Sequence, residues 1–543
     1  MTMSAPDSSQ MTTHDLTDDD RARLTPYVSD TEGPVFVLTN LPETVKGALF
    51  ARYSRSPKSL RRLLLDEFLT GEDQALQAAG PGQSQADALY NRMLAEYGDD
   101  SVAQLGGAHV AVEGASNVLT KILQWGRLAS YLEQSTRYIA YTDRPGGQWR
   151  YYTPPDVAAH PEVGPLYTAT LDRAFEIYSE LLPVMTAYWD AQVPVDDTPP
   201  AARARAIRAR ALDSLRGLLP AATRSNVGIF ASGQAYEALL IRLFAHPLPE
   251  AQEAGHRILT QLRTVIPAFV SRVDRPDRGL LHAAYLRDTD TATAAQGAML
   301  LSPMSPQPQP PEVRLCEWDP DGEIKVVAHA LWSSANRSYE DVAGEVAGMS
   351  TDQRRRVLDA YTGTRADRRH TPGRALEATS YTFEVVCDYG AYRDLQRHRM
   401  LTLQAQPLGV KLGWSLPDEI TDAQLNDQYA TVMHESATLF EALRSVVPDA
   451  GPYAVSLAHR IRFMMVLNAR EAMHLIELRS QPQGHVSYRE VAQQMHTAIA
   501  QAGHTAIAEM MIFTDHSHSD AGRMNAERRL EARRAARDSE QSR

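Results

Sequence analysis

The sequence predicts an α+β protein dominated by helix and built from two diverged copies of one domain. Each copy is expected to be a small, mostly antiparallel sheet covered by long helices. Three observations carry this expectation. The chain has 543 residues, too many for one ordinary core, and its 43% apolar content is enough to fill more than one. A strand-like period of two gives way to a helical period in both halves, in HVAVEGASNVLTKILQWG and in SYTFEVVCDYGAYRDLQRHR. Most of 157–270 and 419–515 then keeps the helical spacing of apolar residues.

The elements follow in order. Residues 1–32 are polar and acidic and read as a disordered tail. The first domain is placed at 33–285. Its period changes at the small-residue turn Gly114-Ala115-Ser116, and an arginine, Arg127, follows. Next come the acidic segment TPPDV (153–157), amphipathic helices, an Arg-x-x-x-Pro at Arg216 and Pro220, and an apolar helix carrying Arg242. Residues 286–312, rich in Thr, Ala, Pro and Gln, read as an extended linker. The second domain, 313–515, repeats the order. It has a turn at Tyr389-Gly390-Ala391, an arginine at Arg399, SLPDEI (415–420), Arg444 with Pro448, and an apolar helix carrying Arg479. Five elements in the same order are hard to obtain by chance, and they are the argument for duplication. A charged tail, 516–543, has too few apolar positions to bury a helix.

Several functions are disfavoured. A net charge of -12 argues against a general nucleic-acid grip, which needs Lys and Arg in excess. Only two cysteines, Cys316 and Cys387, rule out a disulfide framework and suit a reducing compartment. No run of about 18 apolar residues occurs. With no basic, apolar leader at the N-terminus either, a cytoplasmic protein is expected. The Gly-rich spans at 80–83, 106–107 and 146–147 match no phosphate-cradling pattern. His485 with His496, and the cluster DHSHSD at 515–520, have poor metal spacing, so no metal is expected.

The strongest chemical signal is Arg397-His398-Arg399, closing the helical stretch GAYRDLQRHR. On a helix these side chains diverge by about 100° each, so they suit a spread-out ligand rather than one compact anion. Arginine offers a planar fork to phosphate oxygens, and histidine a donor that can also stack. The other reading is a solvated basic helix end, with Asp394 paired to His398 four residues on.

The stretch YTFEVVCDYGAYRDLQRHRMLT resembles the signature of the flavin-dependent thymidylate synthase family, RHRxxSxNExSxRY after a strand and a helix. In the first half, GRLASYLEQSTRY resembles the rest of that signature, with Arg127, Ser130, Glu133, Ser135, Arg137 and Tyr138 in place. The likeness extends to Asn468-Ala469-Arg470, His474 and Arg479, and covers roughly 35–270 and 312–500. It implies FAD contacts at Arg397, His398, Arg399, Asn468, Arg470 and His474. It implies dUMP contacts at Arg127, Ser130, Glu133, Ser135, Arg137, Arg216 and Arg444. It also implies that Arg479, with Arg242 as its first-half counterpart, orients the pyrimidine and stabilises charge on it. The reaction implied is reductive methylation of dUMP to dTMP, with methylenetetrahydrofolate as one-carbon donor and NADPH reducing the flavin.

The departures are complementary. The first half has Trp125-Gly126-Arg127 at the basic triplet and Ala231-Ser232-Gly233 at the Asn-Ala-Arg position. In the second half Ala405, Pro407 and Gly409 stand where the signature has Glu, Ser and Arg. Both halves lack the family's strand histidine, with Leu105 and Ala378 in its place. The first half keeps the nucleotide loop and the second keeps the flavin groups. A fused pair sharing its sites, with a homodimer imitating the family's tetramer, is one expectation. A catalytically degenerate nucleotide- or flavin-binding relative is the other.

Overall fold

The computed structural model describes residues 16–53, 56, 58–69, 104–193, 198–302, 308, 310–517 and most of 524–537. In chain order the elements used below are α1 (Asp18–Leu24), β1 (Gly107–Ser116), α2 (Asn117–Leu123), β2 (Ala129–Glu133), α3 (Val163–Gln192), α4 (Pro200–Leu215), β3 (Arg224–Ser232), α5 (Gly233–Ala245), α6 (Gly279–Leu300), β4 (Glu312–Trp318), β5 (Ser380–Asp388), α7 (Tyr389–Leu395), β6 (Thr402–Ala405), α8 (Asn426–Val446), β7 (Arg460–Asn468), α9 (Ala469–Arg479) and α10 (Val486–Gln501). The fold is α+β and helix-dominated, with two small antiparallel sheets. One has the order β1-β3-β2 and the other β4-β5-β7-β6.

The chain divides into two compact units. One comprises Met1–Glu113, Gly126–Glu133 and Asn226–Pro303; the other comprises Gly114–Trp125, Gln134–Ser225 and Met304–Arg543. The second unit therefore takes residues from both halves of the sequence. In that unit the strand β7 (RIRFMMVLN) buries Ile461, Phe463, Met465 and Leu467 and turns the alternate residues outward, the period-two pattern of a half-covered sheet. It pairs antiparallel with β5 from Ser380 against Asn468 to Asp388 against Arg460. The 30-residue helix α3 buries Tyr167, Leu171, Phe175, Tyr178, Leu181, Met185 and Trp189, one face at three- and four-residue spacing.

One order of elements occurs twice: β1-α2-β2-α3 followed by β3-α5, and β5-α7-β6-α8 followed by β7-α9. The central strand is the third of each set, β3 and β7. The joints match as well. Asn117 N donates to Thr223 O (3.0 Å) and Val118 N to Ala221 O (3.3 Å). Tyr389 N donates to His459 O (2.8 Å) and Gly390 N to Leu457 O (3.0 Å). Pro220, four residues before β3, forms a bridge with Ser456, four residues before β7.

Three stretches differ from the sequence-based expectation. Within 1–32, residues from Leu16 on are anchored. The helix α1 has a Thr17/Asp20 capping box, and Leu24 is wholly buried. Within 286–312, residues up to Leu300 continue α6 instead of running extended. Ala, Leu, Met and Gln favour helix there, and Thr289, Thr291 and Thr293 turn their hydroxyls onto carbonyls four residues back (2.7–2.8 Å). Within 516–543, Met524 is buried and Arg205 is paired with Glu527 (3.0 Å) and Glu531 (2.5 Å), so ionic contacts supply what apolar residues do not. The Gly-rich span 80–83 lies outside the described residues.

Candidate functional site

Two strand-to-helix junctions of the second unit build the site. Strand β5 ends at Asp388, whose Oδ1 accepts from Ala391 N (2.8 Å) and caps α7. Strand β7 ends at Asn468, whose Oδ1 accepts from Glu471 N (2.9 Å) and caps α9. The caps fix where each helix starts, and so where its polar residues emerge. Helix α7 ends at Leu395, so Arg397-His398-Arg399 lies beyond it in an irregular turn. This corrects their placement on the helix. It also removes the i,i+4 geometry that would have paired Asp394 with His398.

Asp394 instead faces arginines from both halves of the sequence. Arg216 Nη1 donates to it at 3.5 Å, Arg397 Nη1 lies 3.7 Å away and Arg479 Nη1 3.8 Å away. Burial alone would raise the Asp394 pKa. Arg397, Arg479, Arg216 and Arg137 outweigh burial and hold it well below the usual carboxylate range. Two of these arginines, Arg216 and Arg479, keep donors without a hydrogen bond among the described residues. Arg216 is 4% exposed, and its Nη2 has no hydrogen-bond partner among the described residues. Arg479 makes one hydrogen bond among the described residues, from Nε to His398 Nε2 (2.9 Å); its Nη1 stands in ion-pair range of Asp394 (3.8 Å) but neither Nη is hydrogen-bonded there.

Arg137 is held differently. Its Nε and Nη2 form a two-point pair with Asp213, both at 2.8 Å. Nη1 donates to Tyr488 Oη (2.7 Å) and Nη2 to Gln483 O (3.1 Å). Burial would weaken this cation, and the Asp213 carboxylate outweighs burial to strengthen it. The Tyr488 ring, on α10, lies 5.5 Å from the Arg479 guanidinium and 5.7 Å from that of Arg137, so one aromatic serves both.

His398 is buried, and its Nδ1 lies 2.9 Å from Glu471 Oε1. Burial, followed by the charges of Arg479 and His474, holds its pKa well below the ordinary imidazole value. Burial raises the Glu471 carboxyl. Of the other expected cofactor contacts, Arg397 and Arg399 are exposed. Arg470 is engaged by Pro372 O (3.0 Å) and Glu377 (3.5 Å), and the Asn468 side chain serves as a cap. His474 is exposed, its ring 5.4 Å from that of His398.

The structure thus brings Arg137, Arg216, Arg397, His398, Arg479 and His474 into one neighbourhood. Ser135 lies two residues from Arg137 and accepts from its backbone N (3.2 Å). Arg127, Ser130, Glu133 and Arg242 belong to the other unit, where Arg127 and Ser130 are exposed and Glu133 is buried at the end of β2. A Cβ at Gly126 would stand 3.2 Å from Arg242 Nη2 and 2.7 Å from the Tyr131 hydroxyl, so glycine makes room for that arginine. Arg444 is not brought in. It lies in the last turn of α8, exposed, with its guanidinium 5.8 Å from the Phe440 ring.

The matched joints also revise the correspondences between halves. Ser232 and Asn468 cap the equivalent helices, so Ser232-Gly233-Gln234 answers to Asn468-Ala469-Arg470, one residue on from Ala231-Ser232-Gly233. Leu243, not Arg242, then answers to Arg479. By the Pro220–Ser456 bridge, Pro452 answers to Arg216. Sequence reasoning missed Asp213, Glu471 and Tyr488. Only Glu471 had a local signal, its place three residues after a capping asparagine.

Fold and site together define a helix-dominated α+β protein whose strand-to-helix junctions gather buried arginines around a carboxylate. The chain belongs to the thymidylate synthase complementing protein family, whose model matches residues 48–268 and 314–514. It is 36% identical over 528 residues to a UPF0159 protein of Chlamydia muridarum (strain MoPn / Nigg), spanning 95% of this chain and 99% of that one. It is 28% identical over 183 residues to a flavin-dependent thymidylate synthase of Mycobacterium sp. (strain JLS), covering 34% of this chain and 68% of that one. Among solved structures, thymidylate synthase X of Helicobacter pylori with FAD and dUMP aligns at a TM-score of 0.27 and 17% identity, covering 37% of this chain and 99% of that one.

Proposed function

We propose that the chain is two diverged copies of one domain acting as a flavin-dependent thymidylate synthase, converting dUMP to dTMP at a site made from both halves. The observation that supports this most is the pair Arg216 and Arg479. One comes from each half, both lie beside Asp394, and both hold N–H groups that make no hydrogen bond among the described residues, though carboxylates stand 3.8–4.0 Å away. Such donors suit a pyrimidine carbonyl or a phosphate. Arg479 would stabilise negative charge developing on the pyrimidine, because a guanidinium does so without itself deprotonating. Ser135, Arg137 and Arg216 would orient the nucleotide.

FAD would supply the hydride. The exposed cations Arg397 and Arg399 fit the diphosphate of a dinucleotide, while His398 and Asn468 are already spent within the protein. The second half's loop offers no acid or cation at Ala405, Pro407 and Gly409, so one site per chain is proposed. Methylenetetrahydrofolate and NADPH would be co-substrates, and two chains would pair as a homodimer in the cytoplasm.

One observation favours the second reading, a nucleotide- or flavin-binding relative without methyl transfer. Arg137 is already tied to Asp213, Tyr488 and Gln483, so a phosphate must displace or share those contacts. Expression in a thymidine-requiring strain separates the two: growth without thymidine is expected, and its loss with Arg479→Ala. A purified chain that carries FAD and binds dUMP but never yields dTMP would establish the second reading.

A further inference from the structure

The chain of contacts Glu471, His398, Arg479 admits one arrangement of protons. Arg479 Nε always carries hydrogen and donates it to His398 Nε2 at 2.9 Å. That nitrogen must therefore present its lone pair. The hydrogen of the neutral ring then sits on Nδ1, which lies 2.9 Å from Glu471 Oε1 and donates to it. Glu471 is itself fixed, because its backbone N–H is bound by the Asn468 side chain in the first turn of α9.

We propose that Glu471 is a positioning residue: it selects the Nδ1–H tautomer of His398, whose bare Nε2 grips Arg479 by Nε and leaves both Nη groups without a hydrogen bond, Nη1 beside Asp394 at 3.8 Å, to meet the ligand. This rests on the reading above that Arg479 meets the nucleotide. An arginine anchored through Nε presents its two Nη groups as a planar fork, the form suited to two-point recognition. In the opposite tautomer two N–H groups would face each other at 2.9 Å, and Arg479 would have to swing away. His398 is thereby assigned to holding Arg479 rather than to touching a cofactor.

The same three side chains raise the question of a metal ion, since ligating atoms of His398, Glu471 and His474 all lie within 4.8 Å of one another. A cation there would strip Nδ1 of its hydrogen and drive the ring's proton onto Nε2, against Arg479. Arg368, Arg399, Arg470 and Arg479 also lie near enough to bias these groups, and they disfavour a further positive charge. A hydrogen bond satisfies the geometry where a dication does not.

The test uses the full-length chain labelled with 15N-histidine, His398 being assigned by its loss in His398→Asn. Imidazole nitrogen spectra are expected to show His398 protonated on Nδ1. Glu471→Gln retains a carbonyl acceptor and should keep that tautomer. Glu471→Ala should shift it toward Nε2, and dUMP affinity by calorimetry should fall about tenfold, restored in the Gln variant. A wild-type ring protonated on Nε2 would overturn the proposal, as would an Ala variant with unchanged tautomer and affinity. If Glu471→Ala does not fold, the wild-type and Gln spectra decide. If the wild-type chain binds no dUMP, the functional reading falls while the tautomer still decides the positioning role.

Discussion

At Asp394 one carboxylate faces the charge of Arg397, Arg479, Arg216 and Arg137. Removing it leaves buried guanidinium groups to repel one another. Asp394→Asn is therefore expected to lower stability at pH 7 by on the order of 2–4 kcal/mol, measured by urea unfolding. The pH dependence has a definite sign. The folded-state pKa is depressed, so the stabilisation is complete above the unfolded value of about 3.9 and is lost as pH falls through the lower folded value. The gap between variant and wild type should be constant from pH 7 to pH 5 and close only in stronger acid. Arg479 and the basic triplet were legible in the sequence because unusual residues sit in a recognisable order. The duty of Asp394 was not, because its partners Arg216 and Arg479 stand 178 and 85 positions away, at distances set by packing.

Among elements, helix α9 is fastened at its far end by Glu477, which is wholly buried and forms a two-point pair with Arg365 (2.7 and 2.6 Å). Arg365 also donates to His370 O (2.6 Å) and Met510 O (2.9 Å), so one guanidinium ties three segments. Arg365→Ala should cost about 3–5 kcal/mol, because it strands Glu477 without a counter-charge. The double variant Arg365→Met, Glu477→Leu should recover most of that loss in the same denaturation assay. Recovery of nothing would show that the backbone contacts dominate. The elements themselves were readable where periodicity was strong, as in α3, β5 and β7. Helix α6 was not, because its threonines read as helix-breaking until their hydroxyls find carbonyls one turn back. The correspondence of Arg242 with Arg479 slipped by one position for a related reason. Both sit in apolar helical runs that look alike until Ser232 and Asn468 mark the helix starts.

For the whole molecule, the two cysteines report on folding from different places. Cys316 is exposed at the irregularity where β4 shifts register against β5. Cys387 is buried on β5, and burial, with Asp388 beside it, pushes its thiol well up. A thiol reagent at pH 8 should modify one cysteine per native chain promptly and the second only on unfolding. Two fast thiols would contradict the packing of β5. None of the helices among the described residues is long and apolar enough to cross a membrane. What the sequence determined by itself was local: the α+β class, the places where period two turns into period 3.6, and the identity of the arginines. These depend on neighbours a few residues apart, and a linear reading reaches them. Tertiary structure decided which arginines share a carboxylate, which residue of each half answers to which, and that His398 points both nitrogens inward. Those outcomes follow from strand register and buried charge pairing between segments from tens to hundreds of residues apart, where no local pattern carries the information.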